Sequence, residues 1–264
     1  MNYHIDIDYE INNNNILNII KELNDMYLQE TYKGNKVAYL YQDKENIISY
    51  NKNICFYAAS SIKILVCLYL FLEEENSNID LNKKILITMN DLKQDTGIIK
   101  YQRNDTYYTI LDLIKLTLVE SDNTAYIKLV DLVGKNNLKQ FGKSLGAKYT
   151  MVGKDEFGLI NCNDMLIYWK NIINYIEGNN KYSNYFKEYL LKPSVKLIDI
   201  NTLNNSSFLR KYGSWDIAIH ECGYVLSNNP FYLIVLTQLN KEEYKSSFMN
   251  ETAKRLIKIN KLMS

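Results

Sequence analysis

The chain has 264 residues with 31 basic against 30 acidic side chains, so it is long enough to bury a full core and one or two domains fit. With 47% apolar and 23% charged residues it has the composition of an ordinary globular protein, which excludes a disordered, collagenous or coiled-coil chain. Its near-zero charge argues against bulk nucleic-acid binding, and its longest clean apolar run, Ile64 to Leu72, falls far short of the roughly 20 residues of a membrane span.

The opening MNYHIDIDYE has neither a basic nor an apolar leader region, which gives a cytoplasmic expectation as written and an extracytoplasmic one if a leader has been removed. Residues 12–23 suit a helix. Residues 36–42 and 46–50, rich in Val, Ile and Tyr and separated by Asp43, Lys44 and Glu45, read as a hairpin. From Ser60 to Glu74 the chain is apolar on every side, which predicts a central helix buried all round. Thr109 and Asp112 form a short capping box opening a helix through Leu118, and a helix over 123–133 ends before Gly134. Helices near 137–145 and 164–177 follow. After Pro193, strands return at 207–213, 217–226 and 231–238, and 241–263 closes the chain as an amphipathic helix.

Both chain ends supply strands and the middle supplies helices. The expected fold is therefore α+β: a mainly antiparallel five-stranded sheet flanked by terminal helices, with an inserted all-helical domain. The sheet domain takes residues 1–58 and 196–264, the helical domain 59–195, and a site is expected at their seam. Cys55, Cys67, Cys162 and Cys222 show no C-x-x-C spacing and two of them sit next to strongly apolar sequence, which points to buried free thiols rather than a disulfide framework. The excess of 34 Asn, 23 Tyr and 28 Lys over 3 Arg reflects an AT-rich coding sequence and says nothing of function.

Some motifs fail. Gly142, Lys143 and Ser144 imitate the end of a phosphate-binding loop, but Asn137 stands where its first glycine belongs. His220-Glu221 begins like a zinc-protease helix, yet Tyr224 replaces the second histidine and the segment reads as strand. With His4 as the other histidine, a Ser-His-Asp triad or a histidine metal site has little material, so no metal or cofactor is expected.

Other motifs hold. In Ala58-Ala59-Ser60-Ser61-Ile62-Lys63, the lysine lies one helical turn from Ser60 on the same face, and a buried, neutral Lys63 can take the hydroxyl proton. The bland alternative is a helix cap with a solvated lysine. Further on come Ser121-Asp122-Asn123-Thr124-Ala125, between two predicted helices.

The pair S-x-x-K and S-D-N, with Thr96-Gly97-Ile98-Ile99-Lys100 ahead of it, resembles the serine β-lactamase and penicillin-binding-protein superfamily, and within it the class A enzymes, over residues 15–260 or so. The resemblance implies a β-lactamase/DD-peptidase-like fold and a serine hydrolase working through an acyl-enzyme. Ser60 would be the nucleophile, Lys63 its base, Ser121 a proton shuttle and Asn123 a donor to the substrate amide. The third motif of the family, K-T-G, is altered to Lys211-Tyr212-Gly213, with Glu221-Cys222-Gly223 as a competing alignment. Under the first, Lys211 supplies charge beside Ser121, the Ser60 and Ser214 N–H groups form an oxyanion hole, and Tyr212 and Gly213 stand at the substrate.

Two departures bear on activity. Tyr212 replaces a small hydroxyl residue that helps hold the substrate carboxylate. Glu156, the tentative deacylation base, lies in Asp155-Glu156-Phe157-Gly158-Leu159-Ile160-Asn161, one residue longer than the E-x-x-L-N of class A enzymes. The expectation is a monomeric, weak β-lactamase acting on a β-lactam or a peptidoglycan-like amide or ester. A D,D-peptidase or esterase, or a ligand-binding pseudoenzyme of the same fold, are the alternatives.

Overall fold

The computed structural model describes residues 7–263 apart from 10, 12, 154, 200, 204, 205, 240 and 241, which leaves His4 outside the described residues. Helix α1 (Asn14–Tyr32) starts where the Asn13 side chain accepts hydrogen bonds from the N–H groups of Asn15 and Ile16. It runs beyond the expected residue 23 because its buried stripe of Ile16, Ile19, Ile20 and Leu23 continues through Tyr27 and Thr31. The Tyr27 hydroxyl is paired with Thr252 at 3.0 Å, so a tyrosine serves as a core residue there.

Strands β1 (Ile7–Tyr9), β2 (Lys36–Gln42) and β3 (Ile47–Tyr50) join β8 (Ser207–Trp215), β9 (Ala218–Leu226) and β10 (Phe231–Gln238) in one sheet, ordered β1-β3-β2-β10-β9-β8. Every pairing in it is antiparallel. The α+β architecture is the expected one, with a correction to the strand count: β1 pairs with the free edge of β3 and makes the sheet six-stranded. Alternate residues divide its faces. Val37, Tyr39, Tyr41, Leu233 and Val235 pack with α1 and the closing helix α8 (Glu242–Met263), while Ala38, Leu40, Cys222, Ile234 and Leu236 pack toward the helices of the chain's middle.

At the centre of those helices lies α2 (Lys63–Glu75), entered through a 3-10 turn over Ala59–Ile62. The sequence pattern merges the two into one helix from Ser60. The turn separates because Ala59 takes φ +46° and both the N–H and the hydroxyl of Ser61 bond to the Ala58 carbonyl, at 3.2 and 2.6 Å. Ile64, Leu65, Val66, Leu68, Leu70 and Phe71 are essentially inaccessible. At about 1.5–3 kcal/mol each, they outweigh the several kcal/mol that burial of the Lys63 amine costs.

Helices α3 (Ile110–Val119), α4 (Asn123–Val133), α5 (Lys135–Ser144) and α6 (Cys162–Glu177) surround α2, and α3 opens with the expected Thr109/Asp112 capping box. The middle of the chain is not purely helical, as it was expected to be. Strands β5 (Lys84–Ile87) and β6 (Thr106–Thr109) pair there, and β4 (Phe56–Tyr57) pairs with β7 (Leu159–Ile160). A further helix, α7 (Ser183–Leu191), is held by Phe186 against Phe71, with ring centroids 4.6 Å apart. The four cysteines are free, and Cys55 alone of them is partly exposed. No helix among the described residues is long and apolar enough to cross a membrane.

Candidate active site

Ser60 sits in the 3-10 turn, 7% exposed, on the wall of a cavity of about 570 Å³. Its hydroxyl has no hydrogen-bond partner among the described residues, and it does not cap the helix. One turn on, Lys63 is completely buried. Its amine donates to the Ser121 carbonyl and the Asn123 Oδ1, both at 2.6 Å, and to the Ser121 Oγ at 3.2 Å.

Ser121 lies between α3 and α4 in the left-handed region, φ +51°, a conformation that turns its side chain toward the two lysines. From the edge strand β8, Lys211 sends its amine to within 2.9 Å of the same Ser121 Oγ. It also bonds the Tyr212 carbonyl at 3.0 Å and lies 4.2 Å from the centre of the Tyr212 ring. Two amines thus flank one hydroxyl. Burial first, and then the neighbouring Lys211 charge, hold the Lys63 amine well below its ordinary range, and burial pushes Lys211 down to about 7.

The two candidates for the third motif lie apart, Lys211 beside Ser121 and Glu221 away from it. Glu221, on β9 opposite Tyr212, belongs to the far side of the sheet, where it accepts from the N–H groups of Leu197 and Ile198 at 3.1 and 2.5 Å and faces Arg210 at 3.5 Å. Gly213 lets β8 touch the turn that carries Ser60: a Cβ there would stand 2.7 Å from the Ser61 nitrogen and 3.2 Å from that of Ser60.

Asp122 braces the segment on the other side of Asn123 from behind the cavity. Besides capping α4 through Ala125, its carboxylate accepts from the N–H groups of Ile98 and Ile99 at 2.6 and 2.8 Å, and Gly97, with φ +115°, leaves the space for it. The Asn123 N–H bonds the Thr96 carbonyl, so Asp95 and Thr96 are brought to the cavity rim.

Two of the expected site residues stand off the cavity lining, as Lys63, Ser121 and Lys211 do. Tyr212 does not line the cavity; its ring lies over the Lys211 amine, and burial raises its phenol's pKa, against which its closeness to Ser121 works. Glu156 does not line it either. Its carbonyl accepts from the Tyr126 hydroxyl at 2.6 Å, and the cavity is faced by its neighbours Asp155 and Phe157. The turn is set by Asp155, whose carboxylate accepts from the N–H groups of Phe157 and Gly158 at 3.0 and 2.8 Å. The Phe157 ring centre then lies 5.8 Å from the Lys63 amine, and no carboxylate among the described residues bonds that amine. Asp95, Asp155, Phe157 and Trp215 join the site without having been singled out. Their adjacency to Thr96, Glu156 and Ser214 was the available signal. No cluster of metal-binding side chains occurs among the described residues.

The profile of the beta-lactamase enzyme family matches residues 18–259. The chain belongs to that family. Beta-lactamase BRO-1 of Moraxella catarrhalis is 25% identical to it over 251 residues, which cover 91% of this chain and 78% of that protein. The β-lactamase of Sphaerobacter thermophilus superposes with a TM-score of 0.82 at 17% identity, over 92% of this chain and 97% of that one. PBP-A gives the same TM-score at 14% identity over 91% and 95% of the two chains, and a mutant of it is described as an acyl-enzyme complex with penicillin G. Family and fold are those of serine β-lactamase-like hydrolases.

Proposed function

We propose that the protein is a serine hydrolase that cleaves a β-lactam or a related amide or ester through an acyl-enzyme on Ser60. The observation that carries this reading is the junction of Lys63, Ser121 and Lys211 behind an unpartnered Ser60 hydroxyl in the cavity wall. Neutral Lys63 takes the Ser60 proton as Oγ attacks the carbonyl carbon. The Ser60 N–H, an orphan donor at the head of its turn, and the Ser214 N–H receive the developing oxyanion, an effect worth about 3–4 kcal/mol per donor. The C–N or C–O bond then breaks, and the leaving atom takes a proton from the Ser121 hydroxyl, which regains one from Lys63 while Lys211 steadies it.

Hydrolysis of the ester needs a deprotonated water. Phe157 beside Lys63 favours a second reading in which this step is slow and the acyl-enzyme accumulates, as in a penicillin-binding protein, because general-base help is worth about 100- to 10,000-fold. Asn123 stands ready for a substrate amide, while Tyr212, occupied at Ser121, leaves the substrate carboxylate without its usual hydroxyl partner. The division of the chain at 58/59 and 195/196 fits a site between sheet and helices.

Intact-protein mass after incubation with penicillin G, and separately with an uncharged activated thioester, tests the proposal. One acyl adduct is expected on the native protein and none on Ser60→Ala. A persistent adduct supports slow deacylation, and rapid return to the unmodified mass with product release supports turnover. Equal labelling of Ser60→Ala, or no labelling of the native protein by either reagent, overturns it.

A further inference from the structure

We infer that the Tyr212 ring keeps the positive charge of the two-amine junction on Lys211 rather than on Lys63, which makes Tyr212 a positioning residue for the proton that acylation moves; its consequence for the reaction rests on Ser60 being the acylated residue. The hydrogen bonds alone do not place that charge. Lys63 bonds the Ser121 carbonyl, Asn123 and the Ser121 Oγ, while Lys211 bonds the Tyr212 carbonyl and the same Oγ. A hydroxyl between two amines can accept from the charged one on either side. Among the ionisable groups around them, Asp122 and Asp95 draw the charge toward Lys63, although the Asp122 carboxylate is engaged by the N–H groups of Ile98 and Ile99. Cys67 of α2 acts on both amines, and Glu221 of β9, itself engaged with Arg210, acts on Lys211. Helix α7, which packs on β8, adds no ionisable group acting on Lys211, and no carboxylate among the described residues bonds the Lys211 amine.

What meets that amine instead is the face of Tyr212, with the ring centre 4.2 Å away, the shortest cation–ring distance among the described residues. The rings beside Lys63, those of Tyr126 and Phe157, stand farther off at 5.4 and 5.8 Å. A ring face attracts a cation through its negative quadrupole, most strongly where both are out of water, and here Tyr212 is 6% exposed and Lys211 wholly buried. Burial raises the Tyr212 phenol, so the ring meets the amine as a neutral phenol and not as a phenolate. The attraction therefore falls more heavily on Lys211 than on Lys63, and it leaves Lys63 the amine free to take the Ser60 proton.

The test changes the electronics of the ring and leaves its shape nearly constant. The variants are Tyr212→Phe and the same exchange made with phenylalanine carrying one, two or three ring fluorines, which progressively drain the ring face of negative charge. The Lys211 amine is titrated by nitrogen NMR of protein with isotope-labelled lysine, its signal identified by its loss in Lys211→Arg. The Lys211 midpoint is expected to fall stepwise along the series, by about one pH unit between no fluorine and three, the size of a desolvated cation–ring contact. The falling limb of Ser60 acylation by penicillin G, read by intact-protein mass, should move toward acid by the same amount. A midpoint that stays fixed along the series, or that rises, overturns the inference. The NMR titration reads the charge without chemistry, so a stepwise fall there with no acylation of Ser60 assigns the failure to the hydrolase reading. Acylation of Ser60 with an unmoved Lys211 midpoint assigns it to the role of the ring.

Discussion

Ser121 Oγ accepts hydrogen bonds from two buried amines, and that arrangement makes the protonation states of Lys63 and Lys211 interdependent. The proposed chemistry requires Lys63 neutral and Lys211 charged. Burial and the Lys211 charge favour a neutral Lys63, and Lys211 loses its own proton near pH 7. Acylation should therefore fall as pH rises through about 7. In Lys211→Arg, whose guanidinium keeps its charge, the falling limb should move well into the alkaline range even if the absolute rate drops. A rate profile of adduct formation from pH 5 to 10 checks this, and identical falling limbs in the two proteins would remove Lys211 from the proton inventory. Tyr212 belongs to the same junction. Its ring carries the Lys211 amine at 4.2 Å, which places an aromatic group against that charge.

The contact between β8 and the Ala59–Ile62 turn places Ser60 relative to Ser214, and it depends on Gly213. A methyl group there meets backbone nitrogen and the Ala58 carbonyl at 2.7–3.2 Å, none of which can swing aside. Gly213→Ala should thus push strand and turn apart and lower acylation with near-native circular dichroism, by up to about 100-fold where the displacement reaches about 1 Å, since misplacements of that size at a reacting centre carry such penalties. An unchanged acylation rate would mean that the strand has no part in the site. Motifs written in contiguous residues were legible beforehand: Ser60 with Lys63, Ser121 to Asn123, and the Thr109/Asp112 cap. The 151–161 loop was not. Which of Asp155, Glu156 and Phe157 meets the cavity depends on the Asp155 turn and on the pairing of β4 with β7, whose partners lie about a hundred residues apart. Helix α7 escaped for a similar reason, because its aromatic residues acquire their partners Phe71 and Tyr175 only in the folded chain.

Across the whole molecule, the sheet separates two cores, and β9 carries a buried carboxyl toward one and a buried imidazole toward the other. Glu221 faces Arg210 on one side; on the other, His220 bonds the Tyr57 carbonyl at 2.8 Å through Nε2 and accepts the Thr237 N–H at Nδ1, at 3.1 Å. That pairing fixes the neutral Nε2–H tautomer and ties the sheet to β4, whose Tyr57 lines the cavity. Burial pushes His220 down to about 4, below the roughly 6.5 of an unfolded histidine. Between these values the unfolded chain binds the extra proton, so stability attributable to His220 is intact above pH 6.5 and is lost as pH falls toward 4, by about 3 kcal/mol in all. Glu221 acts in the opposite sense, because burial raises its carboxyl and acid therefore favours the folded form. The net curve mixes both effects, whereas comparison with His220→Gln isolates one. Urea unfolding at pH 7 and pH 4.5 should show native stability falling more steeply than that of His220→Gln, a side chain that keeps a donor and an acceptor but binds no proton. Parallel falls in the two proteins would mean that His220 does not remain neutral in the folded state.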